Sequence, residues 1–274
     1  MALVTEKIDT RVGLVEAQRG GPASGAGRTV VYLHSAQGEG QGLPFLDRLA
    51  ETHRVVAPMF PGFGESEGLD EIDDMDDAVF HFLDLWERLD LQAPAVVGLS
   101  LGGWMGVELA TRYPEMVGAL VLVNPAGLYL GGHPIRDIFG RTPGELADDL
   151  FYDQANPVAQ MLHALNDLTA DVGRRIELPF EVVKPIVTTM AATAKLGWDP
   201  YLHNPKLPKR LWRVACPTLV VHGAEDRLIP PAHCAYYTEH IAGARQVEIP
   251  KAGHLLPWEK PDELAAAVAA SLTA

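Results

Sequence analysis

The apolar positions of this 274-residue chain alternate between two kinds of pattern. One kind is a short continuous run rich in β-branched residues, which is typical of strands buried on both faces. Six such runs are Thr29–His34, His53–Pro58, Ala93–Gly98, Gly118–Val123, Thr218–Gly223 and Arg245–Ile249. A further run, Arg11–Ala17, precedes them and predicts an antiparallel edge strand.

The second kind of pattern repeats apolar residues at helical spacing between the predicted strands. It covers Asp73–Leu91, Leu101–Tyr113, Ala232–Ile241 and Pro261–Leu272. Strands that alternate with helices predict an α/β fold, in which a mostly parallel sheet is covered by helices on both faces.

This alternation stops between residues 126 and 213. The segment has no convincing strand pattern, but it has helical patterns at Pro143–Phe151, Pro157–Ala170 and Pro179–Leu196. We therefore expect residues 126–213 to form a helical cap over one edge of the sheet. Residues 1–125 and 214–274 would together form the α/β core.

Charge narrows the range of partners. The chain has 36 acidic and 22 basic residues, a net charge of −14 that disfavours nucleic acid and anionic membranes as partners. The acidic run Asp70–Asp77 is interpreted as the start of a helix rather than as a metal site.

The stretch Leu264–Leu272 is too short to span a bilayer, and Met1–Asp9 lacks the pattern of a signal peptide. With two cysteines expected to be reduced thiols, a cytoplasmic location is predicted.

The most informative motif is the segment Gly98–Gly103, which reads GLSLGG. It follows a predicted strand and opens a predicted helix, the context in which G-x-S-x-G forms a sharp turn that exposes its serine. The competing interpretation is a glycine-rich turn with a helix-capping serine. The strand–turn–helix context favours Ser100 as a nucleophile.

A serine hydroxyl needs a base to take its proton, and the base needs a carboxylate to orient it. His254 follows the predicted strand Arg245–Ile249, and Asp226 follows Thr218–Gly223, so both are expected at the carboxyl edge of the sheet. Glu225 is the alternative acid. The order of serine, acid and base is the one found in α/β hydrolases.

An oxyanion formed by such attack needs two hydrogen-bond donors. One would be the backbone N–H of Leu101, directly after the nucleophile. The other is expected from the loop after Thr29–His34, where the N–H of Ala36 is preferred and Ser35 or Gln37 is the alternative.

On these residues the chain resembles the α/β-hydrolase superfamily, in its lid-bearing serine-esterase-like branch. The resemblance rests on Leu33-His34, Pro61–Ser66, Gly98–Gly103, Gly223–Asp226 and Gly253–Pro261. It implies that Ser100 is the nucleophile, His254 the base and then the acid, and Asp226 the orienting carboxylate. It also implies oxyanion donors from Ala36 and Leu101, with no metal or organic cofactor.

Two departures from the family pattern bear on the oxyanion donor and on the substrate, respectively. Ser35 stands where the oxyanion loop often has Gly, and Leu99 stands where hydrolases of ring-cleavage products often have Asn. The prediction is therefore cleavage of a carboxylic ester of a small apolar molecule. The alternatives are a carbon–carbon bond hydrolase, which the segment Asn124–Leu128 still resembles, a lactonase or perhydrolase, and a non-catalytic ligand-binding receptor.

Substrate contacts are expected from the loops around the serine and from the predicted cap. The candidates are Ser35, Leu99, Leu128, Tyr129, Met161 and Leu255, and Arg174 or Arg175 could bind a substrate carboxylate. The expected partner is a small molecule. The oligomeric state is left open by the sequence.

Overall fold

A single eight-stranded sheet forms the core of the protein. The structure is a computed structural model, and it describes residues 3–22, 28–170 and 180–273. The strands are β1 (Val4–Thr10), β2 (Gly13–Gly20), β3 (Val30–Leu33), β4 (Val55–Pro58), β5 (Ala95–Leu99), β6 (Ala119–Val123), β7 (Thr218–Gly223) and β8 (Arg245–Ile249). Their spatial order is β1-β2-β4-β3-β5-β6-β7-β8. The pairs β1–β2 and β2–β4 are antiparallel, and all other pairs are parallel.

Most helices lie between these strands, and the last two follow β8. They are α1 (Pro44–Ala50), α2 (Met75–Arg88), α3 (Leu101–Arg112), α4 (Pro143–Leu150), α5 (Pro157–Ala170), α6 (Phe180–Gly197), α7 (Ala232–His240), α8 (Leu256–Glu259) and α9 (Pro261–Leu272). The α/β-hydrolase fold predicted from the sequence is confirmed: the sheet is mostly parallel and alternates with helices.

The parallel strands were identifiable because their composition follows from their burial. Every residue of β3, β4, β5, β6 and β7 is buried, so a continuous apolar run is required at each position. The antiparallel edge was predicted less well. The first two residues of the expected strand Arg11–Ala17 form a turn, and the observed strand β2 begins at Gly13 and pairs in a hairpin with β1, which was not predicted. Only Ile8 and Thr10 of β1 are buried, so this strand has almost no apolar pattern to detect.

The acidic run begins a helix, as interpreted from the sequence. The side chain of Asp74 accepts hydrogen bonds from the backbone N–H groups of Asp76 and Asp77 and so caps α2. The helices α1 and α8, with 7 and 4 residues, were not predicted, because at most about two helical turns show too little of the helical repeat.

Helices α4, α5 and α6 occupy the segment between β6 and β7, and the described part of residues 126–213 contains no strand longer than an isolated bridge. We call residues 126–213 the insert. Its α4 begins with a capping box formed by Thr142 and Glu145.

Cys216 and Cys234 are free thiols. In the described ranges, the helices are all too short or too polar to cross a bilayer.

Candidate active site

Ser100 lies at the turn from β5 into α3, at the carboxyl edge of the sheet. Its backbone has a φ of 55°, in the left-handed region that non-glycine residues seldom occupy. Neighbouring loops hold it there: its N–H donates to Val123 O at 2.9 Å, and its carbonyl accepts from Trp104 N at 3.0 Å and Ala126 N at 3.1 Å. The strain is thus balanced by bonds to α3 and to the chain after β6.

The glycines beside Ser100 are required by close backbone approach. A Cβ atom on Gly98 would lie 2.3 Å from the carbonyl oxygen of Gly102, and one on Gly102 would lie 2.1 Å from the oxygen of Leu33. These distances are below any real carbon–oxygen contact. The motif recognised in the sequence therefore packs the turn directly against the end of β3.

Asp226 and His254 form a buried pair. Asp226 Oδ2 lies 2.8 Å from His254 Nδ1, and the two side chains are 2% and 1% exposed. The other carboxylate oxygen accepts from Leu228 N at 2.8 Å and Ile229 N at 3.0 Å. Because the carboxylate accepts from Nδ1–H, the neutral ring has its lone pair on Nε2. That atom is buried and has no hydrogen-bond partner in the described residues, Ser100 included, so it is free to act as a base.

Glu225, the alternative acid, contacts a different group. Its side chain accepts from the backbone N–H of Ala252 at 3.0 Å, and its own N–H donates to Ala252 O at 3.0 Å. It therefore ties the loop after β7 to the loop after β8, while the contact with the imidazole is made by Asp226.

Asn124 is a buried residue of the site whose contacts the sequence did not predict. It follows β6 directly, with a φ of 42°. Its Oδ1 accepts from Gly223 N at 3.1 Å, and its Nδ2 donates to the carbonyls of Gly253 at 3.3 Å and His254 at 2.8 Å. One side chain therefore joins the end of β7 to the histidine loop. The feature of the sequence that could have identified Asn124 is its position at the carboxyl end of a predicted strand.

The loop after β3 presents the second expected donor. Ser35 O accepts from His34 Nδ1 at 2.7 Å and from Gly38 N at 3.1 Å, while His34 Nε2 accepts from Phe60 N at 2.9 Å. Because a trans peptide group is planar, fixing Ser35 O also fixes the N–H of Ala36, which points the opposite way. Burial lowers the pKa of His34, so the neutral ring that these bonds require is favoured.

Ser35, placed where the family often has Gly, is bound within its own loop. Its backbone N–H and its Oγ donate to the two carboxylate oxygens of Glu39 at 2.7 and 2.5 Å. The same Oγ accepts from Gln37 N at 3.0 Å. Tyr32 also donates to Glu39, at 2.7 Å, and burial together with that carboxylate raises the pKa of Tyr32. The hydroxyl of Ser35 thus holds the loop through both its donor and its acceptor.

Leu101, the other expected donor, is the first residue of α3, where backbone N–H groups have no intrahelical acceptor. The helix N-terminus also favours negative charge. Ala36 and Leu101 are 8% and 0% exposed, so an oxyanion held between them would be shielded from water. Among the described residues there is no group of three or more side chains able to hold a metal ion.

The six candidate substrate contacts fall into different environments. Leu99, Leu128 and Leu255 are buried, and Leu99 directly precedes Ser100 while Leu255 directly follows His254. Tyr129 and Met161 are 66% and 62% exposed, and Tyr129 packs on the His203 ring. Ser35 has the loop-internal bonds described above. Arg174 and Arg175 lie outside the described residues.

Comparison with known proteins places this geometry in a family. The model of the alpha/beta hydrolase fold family matches residues 29–261. The chain is 26% identical over 263 residues to a 2-hydroxy-6-oxo-6-(2'-aminophenyl)hexa-2,4-dienoic acid hydrolase of Metapseudomonas resinovorans, covering 91% of this chain and 86% of that protein. It is 29% identical over 245 residues to RutD of Klebsiella pneumoniae, whose name assigns it carbamate hydrolysis, covering 85% and 87%.

Among solved structures, the chain resembles a serine hydrolase involved in carbazole degradation, the CarC enzyme. The TM-score is 0.77 at 23% identity, with 99% of both chains covered. The strand order, the tight serine turn after β5 and the family match over most of the length agree with one another. The chain belongs to the α/β-hydrolase fold family.

Proposed function

We propose that this hydrolase uses Ser100 as a nucleophile, and that it cleaves a carbon–carbon bond beside a ketone in a small 2-hydroxy-6-oxohexa-2,4-dienoate. The observation that carries the serine chemistry is the buried Asp226–His254 pair with a free Nε2. What supports the substrate class is the similarity over 91% of the chain to a dienoic acid hydrolase. This was the alternative in the sequence analysis, and the relatives support it better than cleavage of an ester.

The proposed reaction begins with acyl transfer to the enzyme. Ser100 Oγ attacks the ketone carbon at position 6, and its proton passes to His254 Nε2. The oxyanion is bound by the backbone N–H groups of Ala36 and Leu101. The bond between carbons 5 and 6 then breaks. This requires the 2-oxo tautomer of the substrate, in which the electron pair is delocalised onto the 2-oxo oxygen.

The second half-reaction restores the enzyme. The proton on His254 goes to the departing enolate, giving 2-hydroxypenta-2,4-dienoate. Water, activated by the same Nε2, then hydrolyses the ester on Ser100 and releases a carboxylic acid. One water is consumed for each bond broken. Asp226 stabilises the charged imidazole throughout.

Ester or carbamate hydrolysis is the second candidate. It is favoured by the similarity to RutD and by Leu99, the residue directly before Ser100, where carbon–carbon hydrolases of the family often have Asn. An ester needs no conjugated electron sink, because its leaving group is an alcohol. The same serine, base and donors would serve this reaction.

The two candidates are separated by comparing kcat/KM for 2-hydroxy-6-oxo-6-phenylhexa-2,4-dienoate and for p-nitrophenyl butyrate. We expect faster turnover of the dienoate, followed by loss of its visible absorbance, and a loss of about 10⁴-fold or more in Ser100→Ala. Ester turnover without dienoate turnover would favour the second candidate. Undiminished activity in Ser100→Ala would overturn the assignment of the nucleophile.

A further inference from the structure

Thr193, in the last third of α6, connects the insert to the loop that carries Ala36. It is fully buried, and its Oγ1 donates to the carbonyl oxygen of Ala36 at 3.4 Å. The two residues are 157 positions apart in the chain. A side chain of the insert therefore contacts the backbone of a residue that we propose as an oxyanion donor.

A second threonine of the same helix provides an internal comparison. Thr188 Oγ1 donates to its own helix, to Lys184 O at 3.0 Å and Pro185 O at 3.1 Å. This is the usual choice for a threonine within a helix. Thr193 instead directs its hydroxyl across the boundary between the insert and the core. At 3.4 Å the hydrogen bond from Thr193 is long and therefore weak, but its acceptor is the carbonyl of a residue that we propose as an oxyanion donor.

The neighbours of Thr193 dock the same stretch of α6 on the core. Ala192 is fully buried and so close to Gly62 that a Cβ atom on that glycine would lie 2.9 Å from the Ala192 Cβ. Lys195 Nζ donates to Leu69 O at 2.9 Å. Toward the other end of α6, Ile186 and Val187 are exposed. Contact with the core is thus strongest where the helix covers the loops after β3 and β4.

The candidate site is largely shielded from solvent. Ser100, Ala36 and His254 are 4%, 8% and 1% exposed. The peptide before Ala36 is fixed by core residues, through the bonds of His34 and Gly38 to Ser35 O. The next peptide is held at its N–H by Ser35 Oγ, from the core, and at its carbonyl by Thr193, from the insert. The insert therefore adds one restraint to a loop that the core also positions.

We infer that Thr193 is a positioning residue that couples the seating of the insert to the orientation of Ala36. When α6 is seated, both peptide groups beside Ala36 are held and its N–H is aimed at the oxyanion. When α6 is displaced, one restraint is lost and the donor is less well aligned. The acyl-transfer step is then fastest when the insert excludes water from the site. This inference rests on the proposed serine chemistry.

The test uses phosphonylation of Ser100 by a fluorophosphonate, because that reaction needs the base and the oxyanion donors but not the natural substrate. Thr193→Val keeps the shape of the side chain and removes the donor, whereas Thr193→Ser keeps the donor and removes a methyl group. We expect about 3- to 10-fold slower labelling and lower kcat in Thr193→Val, with KM unchanged. Thr193→Ser should stay within about 2-fold of wild type, as should Thr188→Val, the matched control.

A role in packing alone gives the opposite order, with Thr193→Val equal to wild type and Thr193→Ser impaired, and that result would overturn the inference. If Thr193→Val does not fold, Thr193→Ser and Thr193→Ala provide the same comparison, since they differ by the hydroxyl alone. A wild-type protein that is not labelled at all would overturn the proposed serine chemistry and the inference with it. Labelled wild type with unaffected Thr193→Val overturns the inference alone.

Discussion

Asn124 illustrates how one side chain positions several loops of the site. It accepts from Gly223, near the start of the loop that carries Asp226, and donates to the carbonyls of Gly253 and His254. All of these groups are buried, so each would be unsatisfied without it. Asparagine also tolerates the positive φ at this position better than most residues. It orients the histidine loop without contacting the imidazole.

Substitution of Asn124 should therefore affect both stability and turnover. Asn124→Leu leaves a buried N–H and two carbonyls without partners, and we expect the free energy of unfolding to fall by about 2–4 kcal/mol. Asn124→Asp keeps the acceptor for Gly223 but replaces the donor with an oxygen facing two carbonyls. Its kcat should fall, as measured beside urea unfolding curves. Unchanged kcat and stability in Asn124→Asp would show that the donor has no positioning role.

The candidate residues were predictable where their role is local. Ser100 is marked by a motif within six residues, and Asp226 and His254 each follow an apolar strand. The contacts of Asn124 were not predictable, because they depend on which strand ends become neighbours in the sheet. Those of Glu39 depend on the conformation of the loop after β3. Ser35 was expected to contact substrate from its place in the loop, and its bond to Glu39 depends on how that loop folds.

At the scale of elements, the turn from β5 to α3 depends on glycine at two points. Gly102 has the closest contacts, since its added Cβ would lie 2.1 Å from Leu33 O and 2.6 Å from His34 O. Both atoms belong to the backbone of β3 or of the loop after it. They cannot yield without moving the strand beside β5 and the oxyanion loop together.

Gly102→Ala should therefore unfold or strongly destabilise the protein, by at least about 3 kcal/mol on the scale of severe core substitutions. Thermal unfolding monitored by circular dichroism measures the effect. Gly132→Ala is the matched control, because nothing lies within 4 Å of its added Cβ, and its Tm should change little. Equal Tm values for the two variants would contradict the close packing of α3 on β3.

The insert also reaches the histidine side of the site. Leu150 O, at the end of α4, accepts from His254 N at 2.9 Å and Leu255 N at 3.1 Å. Glu259 accepts from the N–H groups of Tyr152, Asp153 and Gly253, and burial raises its pKa despite these bonds. The helical patterns of the insert were predictable from spacing. Its contacts with the catalytic loops were not, because they link distant parts of the chain.

For the whole molecule, a buried histidine remote from Ser100 in the chain should govern part of the acid sensitivity. His81 on α2 is 3% exposed, and neither ring nitrogen has a hydrogen-bond partner among the described residues. Desolvation by burial lowers its pKa from 6.5 to about 4, although Asp84 opposes the change. The folded protein therefore holds this ring neutral in a range where the unfolded chain binds a proton.

The direction in which stability changes with pH follows from the difference between the numbers of protons bound by the unfolded and folded states. Between about pH 6.5 and 4 the unfolded state binds more protons at His81, so stability falls as the pH falls, by at most about 3 kcal/mol from this residue. His81→Phe should flatten the pH dependence of urea unfolding in that range and raise stability at pH 7. A His81→Phe curve parallel to wild type would contradict this account.

The central claim is that Ser100 is a nucleophile activated by His254 and Asp226, and its most direct test is mass spectrometry of the protein after reaction with a fluorophosphonate. We predict one phosphonyl group, located on the peptide that contains Ser100. The adduct should be absent in Ser100→Ala and strongly slowed in His254→Ala. No adduct on the wild-type protein, or an adduct at another residue with Ser100 unmodified, would contradict the claim.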